Sequence, residues 1–244
     1  MYKRSEAIIL KTHKLGELDK IVTAFTRDEG KLRGVAKGAR KLKQRFGSAF
    51  EPMTHVDLNY FEKPGSELVR IDAAELLESF FPRNARADIL AALSCMAELM
   101  DGFTQEKQAN DALFRLALTS AKSVSIATPR IALVYFEAWL LRLSGFLPSI
   151  SRCVRCGAAV SDSESLHAEP DLGGLRCDRC SGRRVATLTP ADRRFLASAF
   201  RTPPAEIASD ESQHAAADSV HRYLRKVIEH ALGHRVRAYA LLDL

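Results

Sequence analysis

Long apolar stretches are missing from this 244-residue chain. No run of about 18 or more apolar residues occurs, which excludes a transmembrane helix. Residues 1–6 carry charges without the apolar core of a secretory signal, so we expect no such signal. The sequence therefore predicts a cytoplasmic protein with no membrane partner, and in that compartment paired cysteines bind metal more often than they form disulfides.

Catalytic and nucleotide-binding signatures are missing as well. The chain has no Gly-x-x-x-x-Gly-Lys-Ser/Thr loop, which excludes ATP hydrolysis through that device. It also has no His-Glu-x-x-His, no Gly-x-Ser-x-Gly and no Gly-x-Gly-x-x-Gly pattern. We therefore expect a protein that is not an enzyme and has no catalytic residues.

Acidic residues are absent from one stretch of the chain, residues 31–45, which holds seven lysines and arginines. Gly34 and Gly38 interrupt these cations, and a glycine backbone can approach a phosphate chain that the cations neutralise. The alternative is a solvent-exposed loop whose charge serves only to keep the protein soluble. We favour DNA binding, in which an aromatic ring stacks on an unpaired base. The predicted DNA-binding residues are Lys31, Arg33, Lys37, Arg40, Lys41, Lys43, Arg45 and Phe46.

Cysteine is scarce, but four of the five cysteines form two Cys-x-x-Cys pairs. The pairs are Cys153 with Cys156 and Cys177 with Cys180. Two such turns separated by roughly 20 residues have the spacing of a four-cysteine zinc site. Four thiolates close a tetrahedron and leave no position for water, so the sequence predicts one structural Zn²⁺.

Two other interpretations concern the same region. His167 and Glu169, followed by the second cysteine pair, resemble a zinc deaminase signature, in which Glu169 would shuttle protons. Only a few residues separate Glu169 from Cys177, and Pro170 and two glycines among them preclude the helix and strand that this fold places there, so we disfavour this interpretation. Arginines around the cysteines predict either a second phosphate-binding surface or the solvated exterior of a small module. These arginines are Arg152, Arg155, Arg176, Arg179, Arg183 and Arg184.

The N-terminal third of the sequence predicts β-structure. Short runs of β-branched and aromatic residues are separated by turn signals. In residues 56–60 apolar and polar residues alternate, as in a half-buried strand. The predicted strands are residues 7–10, 21–26, 31–36, 56–60 and 68–71. Five short strands in so few residues favour an OB-type barrel.

The remaining chain predicts helices around the cysteine region. Apolar residues recur at three- and four-residue steps from about residue 89. Thr128 and Thr189, each followed by a proline, mark helix starts, and Asp192 completes a capping box. The sequence thus predicts an α+β protein with an OB-fold domain at 1–80, a helical domain at 81–149 and 185–244, and a zinc finger insert at 150–184.

Two blocks of this sequence resemble the RecO family of bacterial DNA repair proteins. The first runs from Ala7-Ile8-Ile9-Leu10 through Gly34-Val35-Ala36-Lys37-Gly38-Ala39-Arg40-Lys41. The second joins Gly145-Phe146-Leu147-Pro148 to the first cysteine pair. The resemblance covers nearly the whole chain, although Gln44 and Arg45 stand where family members commonly carry a serine.

This resemblance implies an OB-fold, a helical domain and a zinc finger without an enzymatic active site. It also implies binding to single- and double-stranded DNA, strand annealing, and a location with the nucleoid. The implied partners are RecR, single-strand binding protein and, in some lineages, RecF, and the implied outcome is loading of RecA recombinase. A zinc-ribbon transcription regulator, which would prefer a defined duplex sequence, is the alternative function.

Overall fold

A computed structural model describes residues 1–40, 46–81, 86–125, 128–169, 171, 173–208 and 212–242. The first five strands close into a barrel with the order β1-β2-β3-β5-β4. All neighbours are antiparallel except β3 and β5, which are parallel. The strands are β1 Tyr2–Leu15, β2 Asp19–Thr26, β3 Gly30–Ala36, β4 His55–Phe61 and β5 Val69–Glu78. The predicted five-stranded OB-type barrel is confirmed.

Alternating side chains on these strands fill the barrel. Inward positions such as Ile9, Val22, Leu58 and Ile71 are almost completely buried. Gly34 also faces inward, and a Cβ atom there would lie 2.7 Å from the side chains of Val69 and Ile71. A larger residue would therefore overpack the parallel β3–β5 contact.

The later elements are mostly helical, with three short strands in the cysteine region. Helices α1 Ala87–Phe103, α2 Asp111–Ser123 and α3 Pro129–Leu143 come first. Strands β6 Leu166–Ala168, β7 Leu175–Arg176 and β8 Ala186–Leu188 form a sheet of order β7-β6-β8. Helices α4 Pro190–Ala199, α5 Pro204–Ala208 and α6 Ser212–Leu232 and a 3₁₀ helix, Arg237–Leu241, follow. No helix among the described residues is long and apolar enough to cross a bilayer.

Both predicted helix starts are confirmed. The side chain of Thr128 accepts a hydrogen bond from the backbone N–H of Ile131, with Pro129 in the first turn of α3. At α4 the Thr189 hydroxyl accepts from the Asp192 N–H at 3.2 Å, and the Asp192 carboxylate accepts from the Thr189 N–H at 2.8 Å. These bonds satisfy donors that a helix leaves unpaired at its start.

Two compact units group the chain differently from the predicted domains. One unit comprises Met1–Ser125 with Val236–Leu244, and the other comprises Ile126–Arg235. Within the first unit α1 packs on β1, and the 3₁₀ helix packs on α1. The Glu98 carboxylate accepts hydrogen bonds from the backbone N–H groups of Arg237 and Ala238, at 2.9 and 2.8 Å. The C-terminal segment is thereby fixed to the first unit, while the predicted domain limits stay a prediction.

Candidate nucleic-acid interface and metal centre

The basic loop after β3 begins against the turn between β1 and β2. The backbone N–H of Arg40 donates to the carbonyl of Leu18 at 3.0 Å, and the Arg40 guanidinium donates to the carbonyl of Gly16 at 3.1 Å. The Gly38 N–H donates to the Asp19 carboxylate at 2.8 Å. These bonds hold Lys37 and Arg40 exposed beside the hairpin.

Two further lysines, which the sequence analysis did not predict, lie near the start of this loop. Lys14 and Lys20 are directly opposite in the β1–β2 register, so they lie on the same face of the hairpin. Lys20 also pairs with buried Ala36, so Lys14 and Lys20 lie on the face of Ala36, whereas Lys37, the next residue, lies on the other face at the same end of β3. We call Lys14, Lys20, Lys37 and Arg40 the basic patch. Only strand register could have revealed it, because Lys14 and Lys20 lie outside the acid-free stretch.

The structure differs from the prediction at Lys31. Its side chain is only 15% exposed, and its Nζ donates to the Asp101 carbonyl at 2.6 Å. Lys31 therefore fixes the barrel to the end of α1 and does not project toward a phosphate chain. Arg33 is exposed, with a guanidinium nitrogen 3.9 Å from the Glu106 carboxylate.

The predicted role of Phe46 is wrong. Its ring is only 4% exposed and stacks on Phe50, with the centroids 4.8 Å apart. Both rings belong to the apolar core of the barrel, where no nucleobase can reach them. The roles assigned to Gly34 and Gly38 change as well, because Gly34 faces the core and the Gly38 N–H already donates to Asp19. Lys41, Lys43 and Arg45 lie outside the described residues.

The four paired cysteines converge on one point. Their sulfur atoms all lie within 4.8 Å of one another, and no other metal-binding group of three or more side chains occurs among the described residues. Sulfurs about 2.3 Å from a central ion are about 3.8 Å apart in a tetrahedron, so the cluster fits a four-coordinate metal. Cys153 and Cys177 are buried, whereas Cys156 is exposed.

Backbone turns aim these sulfurs inward. The Gly157 N–H donates to the Cys153 carbonyl at 2.9 Å, and the Cys180 N–H donates to the Cys177 carbonyl at 3.0 Å. Gly157 has φ +70°, a left-handed conformation that favours glycine directly after a cysteine pair. The predicted ligand set of Cys153, Cys156, Cys177 and Cys180 is therefore brought together as one metal site.

Two thiols of this site, those of Cys153 and Cys180, have displaced pKa values. Burial opposes ionisation of Cys153, but hydrogen bonds from the backbone of Cys156, Cys177 and Arg155 outweigh it and lower its pKa to about 6. Hydrogen bonding to Cys156 and Cys177, with burial, raises the pKa of Cys180 to about 12. Metal binding requires deprotonated thiolates, so loading this site with a cation would release protons.

The deaminase arrangement is not formed. The ring nitrogens of His167 lie 3.0 Å from the Thr187 hydroxyl and 2.8 Å from the Asp178 carboxylate, so neither nitrogen faces the sulfurs. The Glu169 carboxylate pairs with Arg176 and accepts from the Gly182 N–H at 2.7 Å. His167 and Glu169 therefore brace the cysteine region.

Several arginines of this region also bind within it. Arg152 donates to the Gly157 carbonyl at 3.3 Å, and Arg155 donates to the Cys180 carbonyl at 3.4 Å. Arg184 donates to the Asp178 carboxylate at 3.1 Å. These bonds favour the interpretation of the arginines as the polar exterior of a small module.

A closed five-stranded barrel followed by helices and a four-cysteine metal site defines an α+β protein of the OB-barrel class. Residues 1–80 match the family described as "Recombination protein O N terminal", and residues 86–239 match "Recombination protein O C terminal". The chain belongs to the RecO family of DNA repair and recombination proteins.

Curated relatives agree over most or all of the chain. The chain is 36% identical over 247 residues to the DNA repair protein RecO of Koribacter versatilis, covering 100% of this chain and 99% of that one. It is 31% identical over 240 residues to the DNA repair protein RecO of Anaeromyxobacter dehalogenans, covering 97% and 94% of the two chains. It is 37% identical over 184 residues to that of a Nocardioides species, covering 74% and 75%.

Proposed function

We propose that this protein binds single- and double-stranded DNA without sequence preference and anneals complementary strands. The observation that carries the proposal is the basic patch, in which Lys14, Lys20, Lys37 and Arg40 lie at the same end of the barrel. Membership of a family of DNA repair proteins supports it.

The proposed mechanism requires no bond chemistry. Long cations neutralise the phosphates of two strands, which lowers the repulsion between them. Contacts to phosphate carry no sequence information, so the base edges stay free to test pairing. The protein would therefore act as a non-enzymatic mediator in the cytoplasm, associated with the nucleoid.

The partners follow from the family and not from contacts in this chain. We propose that the protein works with RecR, and in some settings RecF, on DNA coated with single-strand binding protein. The result would be loading of RecA recombinase onto that DNA. This assignment rests on the similarity of the chain to RecO proteins over its full length.

The metal is proposed to be one Zn²⁺ held by Cys153, Cys156, Cys177 and Cys180. Four sulfur ligands in a tetrahedral arrangement are typical of structural zinc. When bound, the ion would supply fold stability and no reaction chemistry, since no coordination position remains open. The surrounding chain contributes the turns that aim the sulfurs.

Annealing of complementary oligonucleotides tests the proposal. We expect the double variant Lys37→Ala, Arg40→Ala to anneal more slowly and to bind single strands more weakly, because two phosphate contacts are lost. The matched control is Arg115→Ala, Lys122→Ala, which removes two exposed cations from α2. Equal annealing by the two double variants would contradict the proposal, and a strong preference for one duplex sequence would favour a transcription regulator.

A further inference from the structure

An aromatic pair, in which Tyr2 is exposed and Phe61 is half-buried, lies on the outer face of the barrel. Tyr2 on β1 is 71% exposed and pairs in register with Phe61 on β4. The two ring centroids are 4.9 Å apart at an interplanar angle of 61°. An exposed tyrosine beside a second ring presents a large apolar ring face to solvent, which a flat aromatic ligand can cover.

Arg70 contacts both aromatic side chains of the pair. The Arg70 guanidinium lies over the Phe61 ring at 5.2 Å and donates to the Tyr2 hydroxyl at 3.2 Å. Asp72 accepts two hydrogen bonds from this guanidinium, at 2.9 and 3.2 Å, which orients its plane. The rings are thus held in a defined position, as a surface that receives a flat ligand requires.

The strand register connects this pair to exposed cations. Phe61 pairs with Arg70, and Arg70 pairs with Val35 on the neighbouring β3. Outward positions alternate along β3, so exposed Arg33 lies on the same face as Val35, and exposed Lys37 continues this alternation one residue beyond the strand. Two strand spacings, or about 10 Å, separate Val35 from Phe61. Phosphate-binding side chains and rings therefore occur within the reach of a few nucleotides.

We propose that the exposed ring of Tyr2, held in place by Phe61 and Arg70, forms a stacking platform for unpaired nucleobases of single-stranded DNA. The inference rests on the proposed function, since it adds a base-binding site to the basic patch. Every base has a π-face, so stacking is compatible with binding that ignores sequence. Stacking also occupies the face of a base and leaves its pairing edge open, which annealing demands. The platform replaces the stacking role that the sequence assigned to buried Phe46.

The test compares an oligothymidylate with an abasic phosphodiester strand of the same length, using the full-length, metal-loaded protein. We expect Tyr2→Leu to weaken binding of the base-bearing strand by about fivefold or more and to leave the abasic strand unaffected. Tyr2→Phe retains the ring and should retain the affinity. Leu76→Ala removes an exposed apolar side chain elsewhere on β5 and is the neutral control.

The outcomes separate the two proposals. Lys37→Ala should weaken both strands alike, because it removes a phosphate contact. If Tyr2→Leu changes neither strand, or weakens both equally, the platform is wrong while salt-dependent binding still supports the proposed function. If the wild-type protein binds neither strand at any salt concentration, the proposed function fails first.

Discussion

The Nη2 atom of Arg193 donates a 3.0 Å hydrogen bond to the carbonyl oxygen of Val160. The same guanidinium donates to the carbonyls of Ile150, Ser161 and Glu164, and Arg193 is only 4% exposed. The buried guanidinium of Arg193 on α4 therefore binds four carbonyls of the segment that carries the first cysteine pair.

Replacing Arg193 should destabilise the second unit. Arg193→Ala leaves the buried carbonyl of Val160 and three part-buried carbonyls without a charged donor, and each such bond is worth about 1.5–3 kcal/mol. We expect the free energy of unfolding to fall by at least about 2 kcal/mol, measured by urea denaturation with the Trp139 fluorescence as the probe. Arg194→Ala, an exposed neighbour on the same helix, is the control. Equal losses in the two variants would refute this role.

Removing the metal should loosen the cysteine region selectively. We expect a strong chelator to release about one zinc per chain and to increase amide exchange in residues 150–184, because metal binding and folding are coupled. Cys156→Ser should lose the metal, whereas Cys95→Ala, a buried cysteine in α1, should retain it. Elemental analysis measures the zinc content of each variant. Freshly purified wild-type protein that contains no metal would contradict the assignment of a zinc site.

The stability of the barrel should depend on Glu62 in acid. Hydrogen bonds from Lys3 and Lys107 lower the pKa of Glu62 from 4.5 to about 2. A lowered folded-state pKa means that the stabilisation is complete above about pH 4.5 and is lost as the pH falls through about 2.

Denaturation at several pH values tests this dependence. The difference in free energy of unfolding between wild type and Glu62→Gln should shrink as the pH is lowered from 4.5 toward 2. The control is Glu67→Gln, an exposed carboxylate in the same β4–β5 connection. A difference for Glu62→Gln that stays constant with pH would show that the two lysines do not act through its charge.

The missed lysines of the basic patch should contribute to the salt dependence of DNA binding. Each phosphate contact to a single strand contributes about −0.7 to the slope of log K against log salt. The double variant Lys14→Ala, Lys20→Ala should therefore reduce the magnitude of the slope by about 1.4. Fluorescence anisotropy of a labelled oligonucleotide measures it. An unchanged slope, with the α2 control also unchanged, would place DNA elsewhere on the protein.

Local signals in the sequence predicted much of the fold. The spacing of four cysteines, the threonine-proline helix starts and the capping box of Asp192 each depend on residues within a few positions of one another. Because the interacting residues are close in sequence, these features could be predicted without knowledge of the fold, and the structure confirms them. The barrel followed from short alternating runs, although β1 extends well beyond the predicted residues 7–10 because charged positions continue to pair with β2 and β4.

Roles that depend on distant partners could not be predicted. The burial of Phe46 is decided by Phe50 and the barrel core, and the position of Lys31 by Asp101 on a helix far along the chain. Lys14 and Tyr2 gained significance only through strand register, which places residues from different strands side by side. A count of cations along the sequence does not contain that information.

The two hydrogen bonds that Glu98 accepts from the first residues of the 3₁₀ helix have a consequence for biosynthesis. Residues 236–242 leave the ribosome only after the whole of Ile126–Arg235 has been translated. The first unit therefore cannot complete its packing until the whole second unit has been synthesised. A nascent chain that ends at residue 235 would leave the surface of α1 that the 3₁₀ helix covers exposed to chaperones.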